Sequence, residues 1–181
     1  MHFFTEKKLI VDLLLENQLF FSIFFSVLIM KAKYFSYKNI YIAGFMHIVG
    51  TFFHELSHYL IATITTLNFP RGFSIFPKRE GGKIVFGYVE IEKNRLNIVN
   101  SFLIGMSPLS LLFLAYYFSK YFSEICIMFG FTDELFCFLV YIFITATLVA
   151  NSIPSKADFV MSLHKGSFFL YAAFLAFVIF Y

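Results

Sequence analysis

The stretch from Ile40 to Leu67, IYIAGFMHIVGTFFHELSHYLIATITTL, decides how this chain is read. It is apolar over more than the roughly 20 residues a helix needs to cross a bilayer. Yet it carries His47 and then Phe53-His54-Glu55-Leu56-Ser57-His58. On a helix, positions i and i+4 share a face, so His54 and His58 can grip one metal ion. Glu55, between them, is then the general base for the water that the ion activates. An ionisable side chain deep in a bilayer costs roughly 2.5–3.5 kcal/mol, so such residues default to function. Three together need a shared reason, and a metal supplies it. His47 reads as a hydrogen-bonded packing histidine, with a place beside the ligands or the substrate as the alternative.

Outward from this stretch, the composition supports a membrane setting. Of 181 residues, 60% are hydrophobic and only 14% charged. That leaves too little polar surface to solvate a globule, so the chain reads as a single integral-membrane domain over 1–181. The formal charge of +3 is small and carries no nucleic-acid signature. The 29 phenylalanines say nothing of function. Cys126 and Cys137 read as free thiols, and no small-residue cleavage site marks a removable signal peptide.

The predicted fold class is an all-α membrane protein with five spans and one β-hairpin. Residues 1–18 suit an interfacial N-terminal segment, with Glu6, Lys7, Lys8, Asp12 and Glu16 among apolar positions. Spans are expected at Leu19–Met30, Ile40–Leu67, Ile98–Phe118, Leu135–Ala150 and, shorter than usual, Ser167–Tyr181. Lys120 to Glu134 reads as a partly polar loop. Residues 72–93 read as a β-hairpin: strands at Phe73–Phe76 and Ile84–Ile91, joined by a turn-rich connector from Pro77 to Gly82.

Orientation follows from the basic residues. Lys7, Lys8, Arg71, Lys78, Arg79, Lys83, Lys93, Arg95, Lys156 and Lys165 fall on one side. Lys31, Lys33, Lys38 and Lys120 fall on the other, ten against four. The positive-inside rule puts the N-terminus and hairpin in the cytosol. The fourth span then ends near Asn151 and Asp158 at the depth of the two histidines.

A catalytic zinc takes three protein ligands and keeps one position open. Asp158, His164, Glu80, Glu90 and Glu92 are candidates for the third, while Asp133 and Glu134 lie on the wrong side. Asp158 is best placed, at the inner end of a span and just after the helix-breaking Pro154.

The motif in a span, the following hairpin, Gly105 and Pro108 in the third span, and Asn151, Pro154 and Asp158 together resemble the site-2 protease family of intramembrane zinc metalloproteases. The likeness covers roughly residues 40–160. It implies one Zn2+ per chain, held by His54, His58 and Asp158, with Glu55 as catalytic base. It further implies that Asn151 orients substrate or the oxyanion, and that the hairpin guides an unwound substrate helix, with Gly81, Gly82 and Gly87 freeing it to move. The implied reaction is hydrolysis of a peptide bond in or next to a transmembrane segment of another membrane protein. The family's Gly after the Asp is Phe159 here, the Asn-to-Asp interval is about one residue short, and no PDZ module is recognisable. This suggests a compact, divergent branch in a bacterial plasma membrane, of open oligomeric state.

Three rivals stand beside this reading. A membrane zincin with a cytosolic domain would need Glu90 or Glu92 on a helix, whereas both fall on a predicted strand. A catalytically inactive scaffold of the same fold would bind a partner's transmembrane helix without using the charged trio. A transporter is disfavoured by the absence of repeated halves.

Overall fold

The computed structural model describes residues 17–36, 40–81, 83–131, 133–163 and 168–180. Residues 1–16 of the interfacial N-terminal segment, Gly82 and His164 lie outside them. The described chain is mostly helical. Helix α1 spans Gln18–Ser36 and α2 spans Ile40–Thr66. After the hairpin come α3 (Ile98–Met106), a 3-10 turn (Ser107–Leu109), α4 (Ser110–Met128), α5 (Glu134–Asn151), α6 (Lys156–Ser162) and α7 (Phe168–Phe180). Among the described residues two helical stretches are long and apolar enough to cross a membrane: Ile98–Met128, which runs through the 3-10 turn, and Glu134–Asn151. Phe20–Ala32 is a shorter apolar helix. At 1.5 Å per residue, the 27 residues of α2 extend about 40 Å.

The helix expected to stop at Phe118 continues to Met128. Leu111, Ala115, Phe118, Phe122 and Cys126 recur at spacings of three and four, and all are buried or half-buried. The stripe continues through Lys120 and Glu124, which point elsewhere, so the polar residues do not end the helix. Asp133 does start the next one, its carboxylate accepting from the Phe136 amide at 2.8 Å.

Helix α5 is the central element, packing against α1, α2 and α4. Small side chains let these helices approach. Ser22 and Ser26 of α1 are buried, and Ser26 Oγ lies 3.5 Å from the Ala146 carbonyl, where Ala146 has no exposed surface. On the opposite side of α5, Tyr141 and Ser119 share a hydroxyl hydrogen bond of 2.8 Å. Close contact through small residues plus interhelical hydrogen bonds is how helices associate where lipid replaces water. The outer faces remain apolar, with Phe113, Phe143 and Phe169 exposed.

The hairpin differs from expectation in detail. It has four strands of three residues each: β1 (Gly72–Ser74), β2 (Lys78–Glu80), β3 (Lys83–Val85) and β4 (Tyr88–Glu90). β1 pairs antiparallel with β4, and β2 with β3, so one ribbon folds back at Gly81. The connector Pro77–Gly82 is therefore partly strand, because Lys78, Arg79 and Glu80 sit on an exposed ribbon where charge costs little. The return strand breaks at Phe86-Gly87. Arg71 and Arg95 both bond the Glu92 carboxylate, at 2.6–2.7 Å, and close the base of the hairpin. The hydrogen bond from Arg95 leads in holding that carboxyl below the usual range, with Arg71 adding to it.

Candidate metal centre

His54 and His58 project from one face of α2 toward Asp158 at the start of α6. His54 Nε2 lies 3.3 Å from Asp158 Oδ2, and His58 Nε2 lies 3.2 Å from Asp158 Oδ1. The two Nε2 atoms are 3.3 Å apart. Ligand atoms 2.0–2.1 Å from a tetrahedral ion stand roughly 3.3 Å from one another. The three side chains thus form a triangle of the size a zinc ion fits, built from two imidazoles and one carboxylate.

Each imidazole is oriented by its other nitrogen. His54 Nδ1–H donates to the Asn151 carbonyl at 2.8 Å, and His58 Nδ1–H donates to the Ile104 carbonyl at 2.8 Å. A carbonyl only accepts, so Nδ1 carries the proton in both rings and Nε2 presents its lone pair to the centre. Ser107 Oγ adds a contact to His58 Nδ1 at 3.0 Å.

Both carbonyls are available for a reason visible in the sequence. In a continuous helix Ile104 would accept from residue 108, but Pro108 has no N–H. Asn151 is the last residue of α5, and the Ser155 amide that would serve it in a continuing helix donates instead to Asp158 Oδ2 at 2.6 Å. The Ile104 carbonyl takes the Ser107 amide of the tightened last turn and, on its second lone pair, His58, while the Asn151 carbonyl at the end of α5 takes His54.

Asp158 is fixed by a capping box. Ser155 Oγ accepts from the Asp158 amide, and the Asp158 carboxylate accepts from the Ser155 amide. The same carboxylate thus starts α6 and faces the histidines. The Ser155-x-x-Asp158 spacing is a recognised helix-start signal, a second clue to this placement beside span topology and Pro154.

Three glycines set the distances between elements. At Gly105 a Cβ would fall 2.5 Å from the Asp158 carbonyl oxygen and 2.9 Å from the Ser162 amide, both backbone atoms. Contact between α3 and α6 therefore requires glycine there. Gly105→Ala is expected to lower stability by about 1–3 kcal/mol, the usual range for overpacking, seen as a reduced thermal midpoint in detergent. An unchanged midpoint would mean the two helices separate freely. At Gly50, the Asn151 amide occupies the place of a Cβ, at 2.0 Å. At Gly87, the hairpin backbone lies on Glu55 and Thr51, with a Cβ position 2.6 Å from Glu55 Cγ. Gly87 is thus a point of close approach, a role its reading as a source of hairpin freedom did not include.

A cavity of about 810 Å³ unites these groups. His54, Glu55, His58, Asn151 and Asp158 line it from the helices, and residues Ile84–Val89 line it from the hairpin. Glu55 is 9% exposed and Asp158 8%, so the centre is shielded but reachable. Asn151 donates its side-chain amide to the Thr147 carbonyl at 2.7 Å, and its own carbonyl holds His54. This support of His54 was not foreseen. Of the other candidate ligands, Glu92 is engaged by arginines, and Glu80 and Glu90 are exposed on the hairpin. Among the described residues, His54, His58 and Asp158 form the group able to hold a metal ion. No family model, no curated protein and no solved structure matches the chain.

Proposed function

We propose that the protein is an intramembrane zinc metalloprotease that hydrolyses a peptide bond in or next to a membrane-embedded segment of another protein. The observation that carries this reading is the triangle of His54, His58 and Asp158, with both imidazoles oriented through Nδ1 and Glu55 on the same cavity wall. Bound there, zinc would act as a Lewis acid and bring the pKa of water toward about 7.

The chain's own residues supply the rest. Glu55 takes the proton from the attacking water and returns it to the leaving amine nitrogen. Asn151 holds His54 through its carbonyl, and its side chain, bonded to the Thr147 carbonyl and packed on Gly50, fixes the end of α5 beside the centre. A peptide bond inside a helix is shielded by its own hydrogen bonding, so the substrate must unwind locally. Strand β4 lines the cavity through Tyr88 and Val89 and offers an extended segment a partner by strand addition. In this reading α1, α2, the α3–α4 unit, α5 and α7 are the five spans, with the hairpin cytosolic and the protein in a bacterial plasma membrane. α7 has 13 residues, about 20 Å, and crosses only where the bilayer thins.

The test is metal content of the detergent-purified protein beside His54→Ala. About one zinc per chain in the wild type, and a loss in the variant, is expected. Zinc-dependent cleavage of a single-span peptide with glycines in its helix, reconstituted in the same vesicles, completes the test. No zinc after reconstitution at neutral pH would replace this reading with that of a scaffold binding a partner's transmembrane helix.

A further inference from the structure

His47 takes no part in the triangle, yet it is buried and faces the same cavity. Its ring stacks on Phe86 with centroids 4.3 Å apart and planes 14° from parallel. Phe86-Gly87 is the segment where the return strand leaves both paired registers. One and two turns further along α2, Thr51 and Glu55 meet Gly87. One turn beyond, Tyr59 meets Phe73 of β1 edge-on, at 5.7 Å between centroids.

The positions 47, 51, 55 and 59 form a single row on α2, each four residues from the next. The hairpin is seated along that row, beside His54 and His58. Gly87 has no side chain to grip with, and ladder pairing does not cover it. The aromatic stack lies immediately before it in the chain, where Gly87 itself rests on Thr51 and Glu55.

We propose that His47 is a positioning residue. Its stack on Phe86 holds Phe86-Gly87 over Glu55, and release of the stack controls entry to the cavity. This rests on the metalloprotease reading for its consequence, while the clamp itself is a property of the hairpin and α2. Opening admits substrate, and closure keeps the centre from bulk water between turnovers.

The experiment compares wild type, His47→Ala, Phe86→Ala and His47→Phe as full-length proteins. His47→Phe retains a flat ring for the stack. Two readouts are taken: hydrogen exchange of the amides from Ile84 to Tyr88 without added metal, and zinc release to excess EDTA after loading. Both alanine variants should exchange and release at least about fivefold faster than wild type, and His47→Phe should stay within about twofold of it. Equal rates in all four proteins would overturn the proposal, as would His47→Phe matching His47→Ala. If the wild type retains no zinc, the metalloprotease reading fails, and the exchange comparison still decides whether His47 clamps the hairpin.

Discussion

Glu55→Gln should bind zinc as the wild type does and lose at least a hundredfold in turnover of a reconstituted single-span peptide. Gln has the shape of Glu, so it fits the space beneath Gly87, where the hairpin backbone already lies on Glu55 Cγ. The metal triangle does not include Glu55, so its geometry persists. What disappears is the ability to take a proton from water and hand it to the departing nitrogen. Positioned acid–base groups contribute about 10²–10⁴ in rate, and a neutral amide supplies none of this. The loss should appear in kcat, with KM little changed, because the substitution leaves the hairpin, the proposed substrate platform, untouched. Cleavage at the wild-type rate would remove Glu55 from its assigned role. A loss of zinc together with activity would show instead that Glu55 holds the site together.

The sequence carried the helix-borne half of this site openly and the rest only through topology. His54, Glu55 and His58 are legible because their relation is local: three residues within five positions of one helix share a face whatever the tertiary fold. Asp158 lies 100 residues after His58. It became a candidate because alternating spans returned the chain to the same depth. The helix limits of α2 and α5 match the expected spans closely, since Asn68-Phe69-Pro70 and Ile153-Pro154 stop them. Misreadings came where composition and geometry part. Lys120 and Glu124 look like a loop, but they sit off the buried stripe from Leu111 to Cys126, so the helix passes them. Lys78-Arg79-Glu80 looks like a turn, but an exposed ribbon accepts charge on both faces. The close approaches at Gly50 and Gly87 had no signal in one sequence, because their partners, Asn151 and Glu55, reach them only once helices and hairpin are packed. Pro108 was legible only as a proline within the third span; that the carbonyl of Ile104, four residues before it, holds His58 could be seen only with both residues in place.

Asp158→Ala should weaken zinc binding by about 100-fold or more, measured by competition with a chelating indicator. Loss of groups that merely orient ligands already costs roughly 10–100-fold, and Asp158 lies within 3.3 Å of both imidazole nitrogens. The substitution also removes the return half of the capping box, so α6 could fray and confuse the result. Ser155→Ala separates the two effects. It removes the N-cap acceptor, worth about 1 kcal/mol of helix stability, and leaves the carboxylate in place. If Asp158 is a ligand, Ser155→Ala retains zinc within about tenfold while Asp158→Ala does not. Equal losses in both would mean that the start of α6 matters and the carboxylate does not. Unchanged affinity in Asp158→Ala would move the third ligand to His164 or to a hairpin carboxylate, Glu80 or Glu90. The hairpin would then have to swing further over α2 than the His47–Phe86 stack allows. The two sets of variants therefore constrain each other: a clamp that holds keeps Glu80 and Glu90 away from the histidines and leaves the third-ligand role to Asp158.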